Sequence, residues 1–205
     1  MAHLNSLPNE LLTHKQLAAE CIARLFDHAS TQLDEDRIFI STGDIDAMWL
    51  RDSSFQVKPL LRFCSDSRVA DFVKGVISTQ AFYISIDPYA NAFNIAANSN
   101  RWHKDFEDQS PWVFERKWEI DSLASFLDIS LGLTDVTGND QHLNEAWWRA
   151  ANSITDVFER ELSHDPESYV FTRSKAPKHD WLYPEGRGAD FENCRHFLTL
   201  HLRKP

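Results

Sequence analysis

The sequence predicts an all-α fold built of helical hairpins whose connecting loops surround a pocket. Three observations predict it. Apolar residues recur at three- and four-residue steps in five separate stretches. Glycine, proline and short polar runs separate those stretches. Tryptophans and charged residues gather in the connecting segments and at helix starts, outside the apolar stripes.

The first helix is expected over His14 to Leu33, where Leu17, Cys21, Ile22, Leu25, Phe26, Ala29 and Leu33 form one stripe. The following "DEDRIFISTGD" leaves that period, and Gly43 marks a turn. A second helix is expected to begin at Ser53 or Ser54, either of which can cap it, with Pro59 kinking it or delaying its start. A third carries Val69, Phe72, Val73, Val76, Ile77 and Ala81, capped by Asp66 or Ser67. From Ser85 to Pro111 the chain is rich in Asn, Asp and Ser and has no steady period, so it reads as a long functional loop. A fourth helix spans Glu119 to Asp135 and ends at Gly138; a fifth spans Gln141 to Leu162. "SYVFTR" reads as a short extended piece and "YPEGRGAD" as a turn. No βαβ alternation, heptad or short repeat is present.

A chain of 205 residues can bury one real core. Its formal net charge of −10 repels phosphate backbones, which argues against nucleic acid as a partner. No run reaches the roughly 18 apolar residues of a membrane helix, and the N-terminus lacks the apolar core of a secretory signal. A cytoplasmic protein with no membrane partner is therefore the default expectation. Cys21, Cys64 and Cys194 give neither a disulfide framework nor a zinc spacing, and Cys21 reads as a small core residue. His103 and His179 are isolated, so no metal or other cofactor is expected.

Seven tryptophans occur, several among polar neighbours: "AMWLRD", "NRWHKD", "SPWVFERKWEID", "KHDWLYPE". A flat apolar ring beside hydroxyl-binding groups suits a sugar, although a core tryptophan with one polar edge looks the same in sequence. In "WLRDS", Arg51 and Asp52 cannot point the same way from one regular helix, but at a loop-to-helix junction they can converge. Arginine donates a planar fork and an ionised aspartate accepts, so the pair can grip vicinal hydroxyls. A capping aspartate beside a surface arginine is the plainer alternative. In "SPWVFERKWEIDSL", Glu115, Arg116, Lys117, Glu119 and Asp121 alternate with Trp112, Phe114 and Trp118. The Asn-rich "YANAFNIAANSN" offers amides for hydroxyl binding.

The segments "TGDIDAMWLRDSSFQV", "YANAFN" and "PWVFERKWEIDSL", in this order, together with "EGRG" at Glu185 to Gly188, resemble glycoside hydrolase family 125. The resemblance implies a metal-independent, inverting exo-α-1,6-mannosidase on an (α/α)6 barrel, with an α-mannoside or N-glycan-derived oligosaccharide as partner. Its W-x-R-D core also resembles the segment by which other six-hairpin glycosidases hold the sugar in the −1 subsite. By that likeness Trp49, Arg51 and Asp52 bind the sugar. Glu115, Arg116, Glu119 and Asp121 follow more weakly, as pocket residues or as residues behind them.

Twelve helices of about 11 residues with loops of about 5 already need about 190 residues. Five helices with long loops take nearly that length here, so the expectation is a partial (α/α)6 barrel, about half of the toroid. Residues 1–188 read as the N-terminal part of such a catalytic domain. Residues 189–205 read as a divergent tail from a frameshift, a mis-spliced exon or a truncated gene. Inverting hydrolysis needs an acid and a base across a water. The segments that supply them in the family have no counterpart here, so no catalytic residue is assigned. Activity at the family level thus stands beside an alternative, a non-catalytic carbohydrate-binding fragment, and apolar faces are expected to lie exposed. A magnesium-dependent prenyl enzyme on an α/α toroid fits poorly, because Asp44, Asp46 and Asp52 do not form a compact Asp-Asp-x-x-Asp run.

Overall fold

The computed structural model describes residues 9–43, 45–101 and 108–162. Five α-helices carry the described chain: α1 (Asn9–Arg24), α2 (Leu50–Val57), α3 (Ser67–Ile86), α4 (Ile120–Thr137) and α5 (Glu145–Leu162). Between them lie five three-residue strands: β1 (Ser30–Gln32), β2 (Ile38–Ile40), β3 (Ala47–Trp49), β4 (Ala92–Asn94) and β5 (Val113–Glu115). The pure all-α expectation is thereby corrected to a mostly helical fold with two small antiparallel sheets, β1-β2 and β3-β4-β5. Segments such as "IFI" and "AFN" are buried at every position and too short to show the two-residue alternation that reveals a strand.

The helices sit in two layers. Helix α2 packs on α4, and α3 packs on α5, so successive helices alternate between the layers while α3 also touches α4. The core between them holds Leu50, Val57, Val73, Val76, Ile77, Leu123, Phe126, Ile129, Ile154 and Val157. Tyr83 stacks flat on Phe93 at 4.6 Å and donates its hydroxyl to the Asn94 carbonyl at 2.7 Å. Burial pushes the Tyr83 phenol well above its ordinary range, so it stays a neutral donor.

Local chemistry explains the element ends, and several differ from the sequence reading. Helix α1 ends at Arg24, passes through a π-turn at Leu25–Ala29 and becomes β1, where a continuous helix to Leu33 was expected. Among its described side chains, Ile22 and Leu25 of the last turns pack inward, while Leu17 and Cys21 are exposed. Cys21 is therefore a surface residue among the described contacts, not a core one. Helix α2 begins at Leu50, ahead of Ser53 and Ser54, whose hydroxyls donate back to the Trp49 and Leu50 carbonyls and cap nothing. Pro59 opens a 3₁₀ turn, Lys58–Phe63, that tightens the end of this segment. Asp66 caps α3 by accepting from the Arg68 amide at 3.0 Å, as the sequence suggested. Gly138 ends α4 in the left-handed region at φ +66°. Helix α5 starts at Glu145, with the Asn144 carboxamide accepting from the Trp147 amide.

The expected long loop is shorter than it read. Helix α3 runs through Ile86, and β4 takes up part of the loop's first half. "SYVFTR", "YPEGRGAD" and the boundary at Gly188 lie outside the described residues. Exposed apolar side chains are present on both layers: Phe55 on α2, Ile120, Leu131 and Val136 on α4, and Trp148 and Leu162 on α5. No helix among the described residues is long and apolar enough to cross a membrane.

Gly75 in α3 is where β2 comes closest: a Cβ there would meet Ile38 Cγ1 at 2.8 Å and Cδ1 at 2.9 Å. Alanine gains about 1 kcal/mol of helix propensity, whereas overpacking of this kind costs about 1–3 kcal/mol. Gly75→Ala is therefore expected to lower stability in urea unfolding, and Ile38→Val to recover part of the loss. A second expectation concerns acid. The Arg68 side chain, then its amide, hold the Asp66 carboxyl down at about 2. A depressed carboxyl stabilises the fold fully above its unfolded value of about 3.9, and that contribution disappears as pH falls toward 2. Asp66→Asn keeps the cap acceptor but not the charge, so its melting temperature should fall less steeply between about pH 4 and pH 2 than that of the parent.

Candidate functional site

The three-stranded sheet and two helix starts build one end of the layered helices. In the sheet, Trp49 of β3 pairs with Ala92 of β4, and Ala92 pairs with Glu115 of β5. Residues directly opposite one another share a sheet face, so Trp49 and Glu115 flank the small Ala92. Trp49 meets the Phe114 ring edge-on at 5.5 Å, and its amide donates to Thr42 Oγ1. The chain then turns straight from β3 into α2, which places Arg51 and Asp52 in the first helical turn. In the same way β5 leads to α4, with Glu119 as its N-cap residue and Asp121 in its first turn.

Arg51 joins the two junctions. Its Nη1 donates to Glu119 Oε2 at 2.9 Å and to Asp121 Oδ2 at 3.2 Å, and its Nη2 lies 3.4 Å from Asp52 Oδ2. The guanidinium fork thus holds three carboxylates from two helices, a task that a single ammonium could not share in the same geometry. Burial would loosen the Arg51 proton, but the charges of Glu119, Asp121 and Asp52 outweigh it and bind the proton more tightly. Glu119 is the best covered of the three acids at 18% side-chain exposure, against 41% for Asp52 and 57% for Asp121. It also accepts from Ser122 Oγ at 3.2 Å and pairs with Lys117 Nζ at 3.2 Å. Three carboxylates against two cations leave this end negative, and the N-termini of α2 and α4 offset part of that charge. Asp52 and Asp121, the more exposed acids, retain acceptor capacity toward solvent or a ligand hydroxyl.

Arg51, Asp52, Glu119 and Asp121 therefore form one cluster, beside the sheet row of Trp49 and Glu115. Arg116 belongs to another network. Its Nε donates to Asp87 Oδ2 at 2.6 Å, its guanidinium lies 5.5 Å from the Tyr89 ring centre, and Tyr89 in turn donates to the buried Glu161 of α5. Glu115 accepts from Asn91 Nδ2 at 2.8 Å. The asparagines that sequence offered as hydroxyl binders are largely committed. Asn94 is fully buried, and its amide donates to the Asn100 and Pro111 carbonyls, which closes the loop; Asn91 is equally buried. Lys117 and Ser122, both within the "SPWVFERKWEIDSL" segment, complete the contacts of Glu119, and Asn91 of the Asn-rich segment holds Glu115. The tryptophans divide as well: Trp147 is buried against Phe126, Trp148 is exposed, and Trp49, Trp112 and Trp118 are half-buried.

A groove of about 1160 Å³ runs between the β1-β2 turn, the outer face of α3 and the start of α5. Trp49, Arg51, Asp52, Glu115, Arg116, Glu119 and Asp121 do not line it, and the chemistry of the Arg51 cluster makes that end the better candidate. Among the described residues no group of three or more His, Cys, Asp or Glu is placed to hold a metal ion. Asp44 lies outside the described residues.

Known proteins share this sequence and fold. The sequence profile of a family described as metal-independent α-mannosidases (GH125) matches residues 5–200. The meiotically up-regulated gene 157 protein of Schizosaccharomyces pombe is 33% identical over 208 residues, covering 85% of this chain and 40% of that protein. A solved structure superposes with a TM-score of 0.75 at 34% identity, over 84% of this chain and 41% of its own. It is a Streptococcus pneumoniae protein of the metal-independent α-mannosidases, in a non-productive complex with α-1,6-mannobiose. The chain thus spans about two fifths of the length of these relatives.

Replacing Arg51 by methionine would leave Glu119, Asp121 and Asp52 facing one another without their cation. With these groups partly exposed, a loss of about 1 kcal/mol at neutral pH is expected. The loss should shrink at high salt, which screens these partly exposed charges, and urea unfolding at about 0.05 M and about 1 M salt would show it.

Proposed function

Because the chain belongs to the metal-independent α-mannosidase family GH125, we propose that its Arg51 cluster holds the terminal mannose of an α-1,6-linked mannoside. The observation that carries this reading is the convergence of Trp49, Arg51, Asp52, Glu119 and Asp121 at one end of the helical layers. The α-1,6-mannobiose carried by the S. pneumoniae neighbour supports the choice of linkage. In this reading Trp49 offers its apolar face to the C–H surface of the ring, and Asp52 and Asp121 accept from sugar hydroxyls. Arg51 is bound by three carboxylates, so its main task is to hold them in place. The two alternating layers, α2 with α4 and α3 with α5, are read as an arc of an (α/α)6 barrel.

The roles divide between holding and cleaving. An inverting hydrolase places its two carboxyl groups about 6.5–9.5 Å apart with a water between them. Asp52, Glu119 and Asp121 instead share one guanidinium on the same side. They are suited to grip a sugar and to surround a positively charged ring in the transition state with negative charge. In this reading the acid and base of family-level hydrolysis by inversion lie outside this cluster.

Titration of the protein with α-1,6-mannobiose, followed by tryptophan fluorescence and calorimetry, tests the reading. Asp52→Ala should weaken binding by roughly tenfold or more with a melting temperature near that of the parent; Trp49→Ala should weaken it as much while also lowering the melting temperature, because its ring packs on Phe114. Absence of mannobiose binding by the parent protein would overturn the proposal. Turnover that survives both Asp52→Ala and Glu119→Ala would show cleaving groups elsewhere among these residues.

A further inference from the structure

Beneath the Arg51 end lies a polar contact made by a residue outside every motif that the sequence offered. Gln80, in the middle of α3, is fully buried. Its Nε2 is within hydrogen-bond distance of the Leu50 carbonyl at 3.1 Å, Ser53 Oγ at 2.9 Å and Ser54 Oγ at 2.9 Å. All three partners belong to the first turns of α2, the segment that carries Arg51 and Asp52 and follows directly on Trp49. The Leu50 carbonyl also accepts from Ser54 Oγ at 2.7 Å and lies 3.4 Å from Ser125 Oγ of α4. Three helices therefore send a polar group to one carbonyl.

This contact is poorly explained as a stabiliser. Gln80 Oε1 is buried and has no hydrogen-bond partner among the described residues. A buried unpaired acceptor, together with a desolvated amide, offsets most of what the Nε2 bonds contribute. An unbranched apolar side chain of the same length would fill the space without that cost. It would leave no acceptor stranded at Leu50, whose carbonyl keeps its serine partners. What an apolar residue cannot do is fix the height and rotation of the α2 start relative to α3. Resting on the sugar-binding reading above, we propose that Gln80 is a positioning residue: it ties the first turn of α2 to α3 so that Trp49, Arg51 and Asp52 stand in register for the sugar.

The test compares the parent protein with Gln80→Met by thermal melting, amide hydrogen exchange and α-1,6-mannobiose titration. The expected result is a melting temperature within about 3 °C of the parent. Exchange at the amides of Ser53 to Phe55 should quicken at least about fivefold, and mannobiose affinity should fall roughly tenfold. A folded variant with parental exchange and parental affinity overturns the proposal. So does a variant whose melting temperature collapses together with affinity, because Gln80 would then simply hold the fold. If Gln80→Met does not fold, Ser54→Ala supplies the test, since it removes one Gln80 partner and one donor to Leu50; parental exchange and affinity there would again refute the role. If the parent protein binds no mannobiose, the sugar-binding reading falls, and local exchange alone decides whether Gln80 fixes the start of α2.

Discussion

The carbonyl of Leu50 is the point on which this structure turns. It sits where β3 ends and α2 begins, and groups from α2, α3 and α4 all reach it. A buried backbone carbonyl must be satisfied, and here its partners come from across the fold. The apolar layers decide that the helices pack, but many small slides of one helix on another would bury similar area. Directional bonds at Leu50 select one of them. The Arg51 bridge to Glu119 and Asp121 then fixes the start of α4 against the start of α2.

Much of this was legible in the sequence, and for definite reasons. The stripes of α3, α4 and α5 were long enough for their period to show, and Asp66 and Gly138 are caps with a local mechanism. The convergence of Arg51 and Asp52 at a helix start was readable because adjacent residues cannot share a helix face. The strands were not readable, since three buried residues carry no alternation. The start of α2 was misplaced because Ser53 and Ser54 look like caps, whereas their hydroxyls turn back to Trp49 and Leu50. Arg116, which the sequence offered as a pocket residue or one behind it, donates its Nε to Asp87, a partner that its neighbours in "FERKWEID" do not reveal. Only the fold shows that Lys117 and Glu119 lie with Arg51, because that pairing joins segments far apart in the chain.

The electrostatics of the cluster have a simple logic. A chain with net charge −10 concentrates three acids at one end and tolerates them by one well-placed arginine and one lysine. Exposed ion pairs stabilise little, so this arrangement contributes less to stability than to the orientation of acceptor oxygens. Membership of the metal-independent α-mannosidase family fits a site that relies on side-chain charges held by hydrogen bonds.

The small sheet has a kinetic side. Its strands come from three stretches separated by the whole of α3 and by the loop that Asn94 closes. Helices form from neighbours along the chain, whereas such distant pairings wait for loops to close. Bringing Trp49, Ala92 and Glu115 into line therefore requires closing the chain around α2 and α3. The end of the molecule that carries the Arg51 cluster rests on long-range pairings, the kind that form slowly.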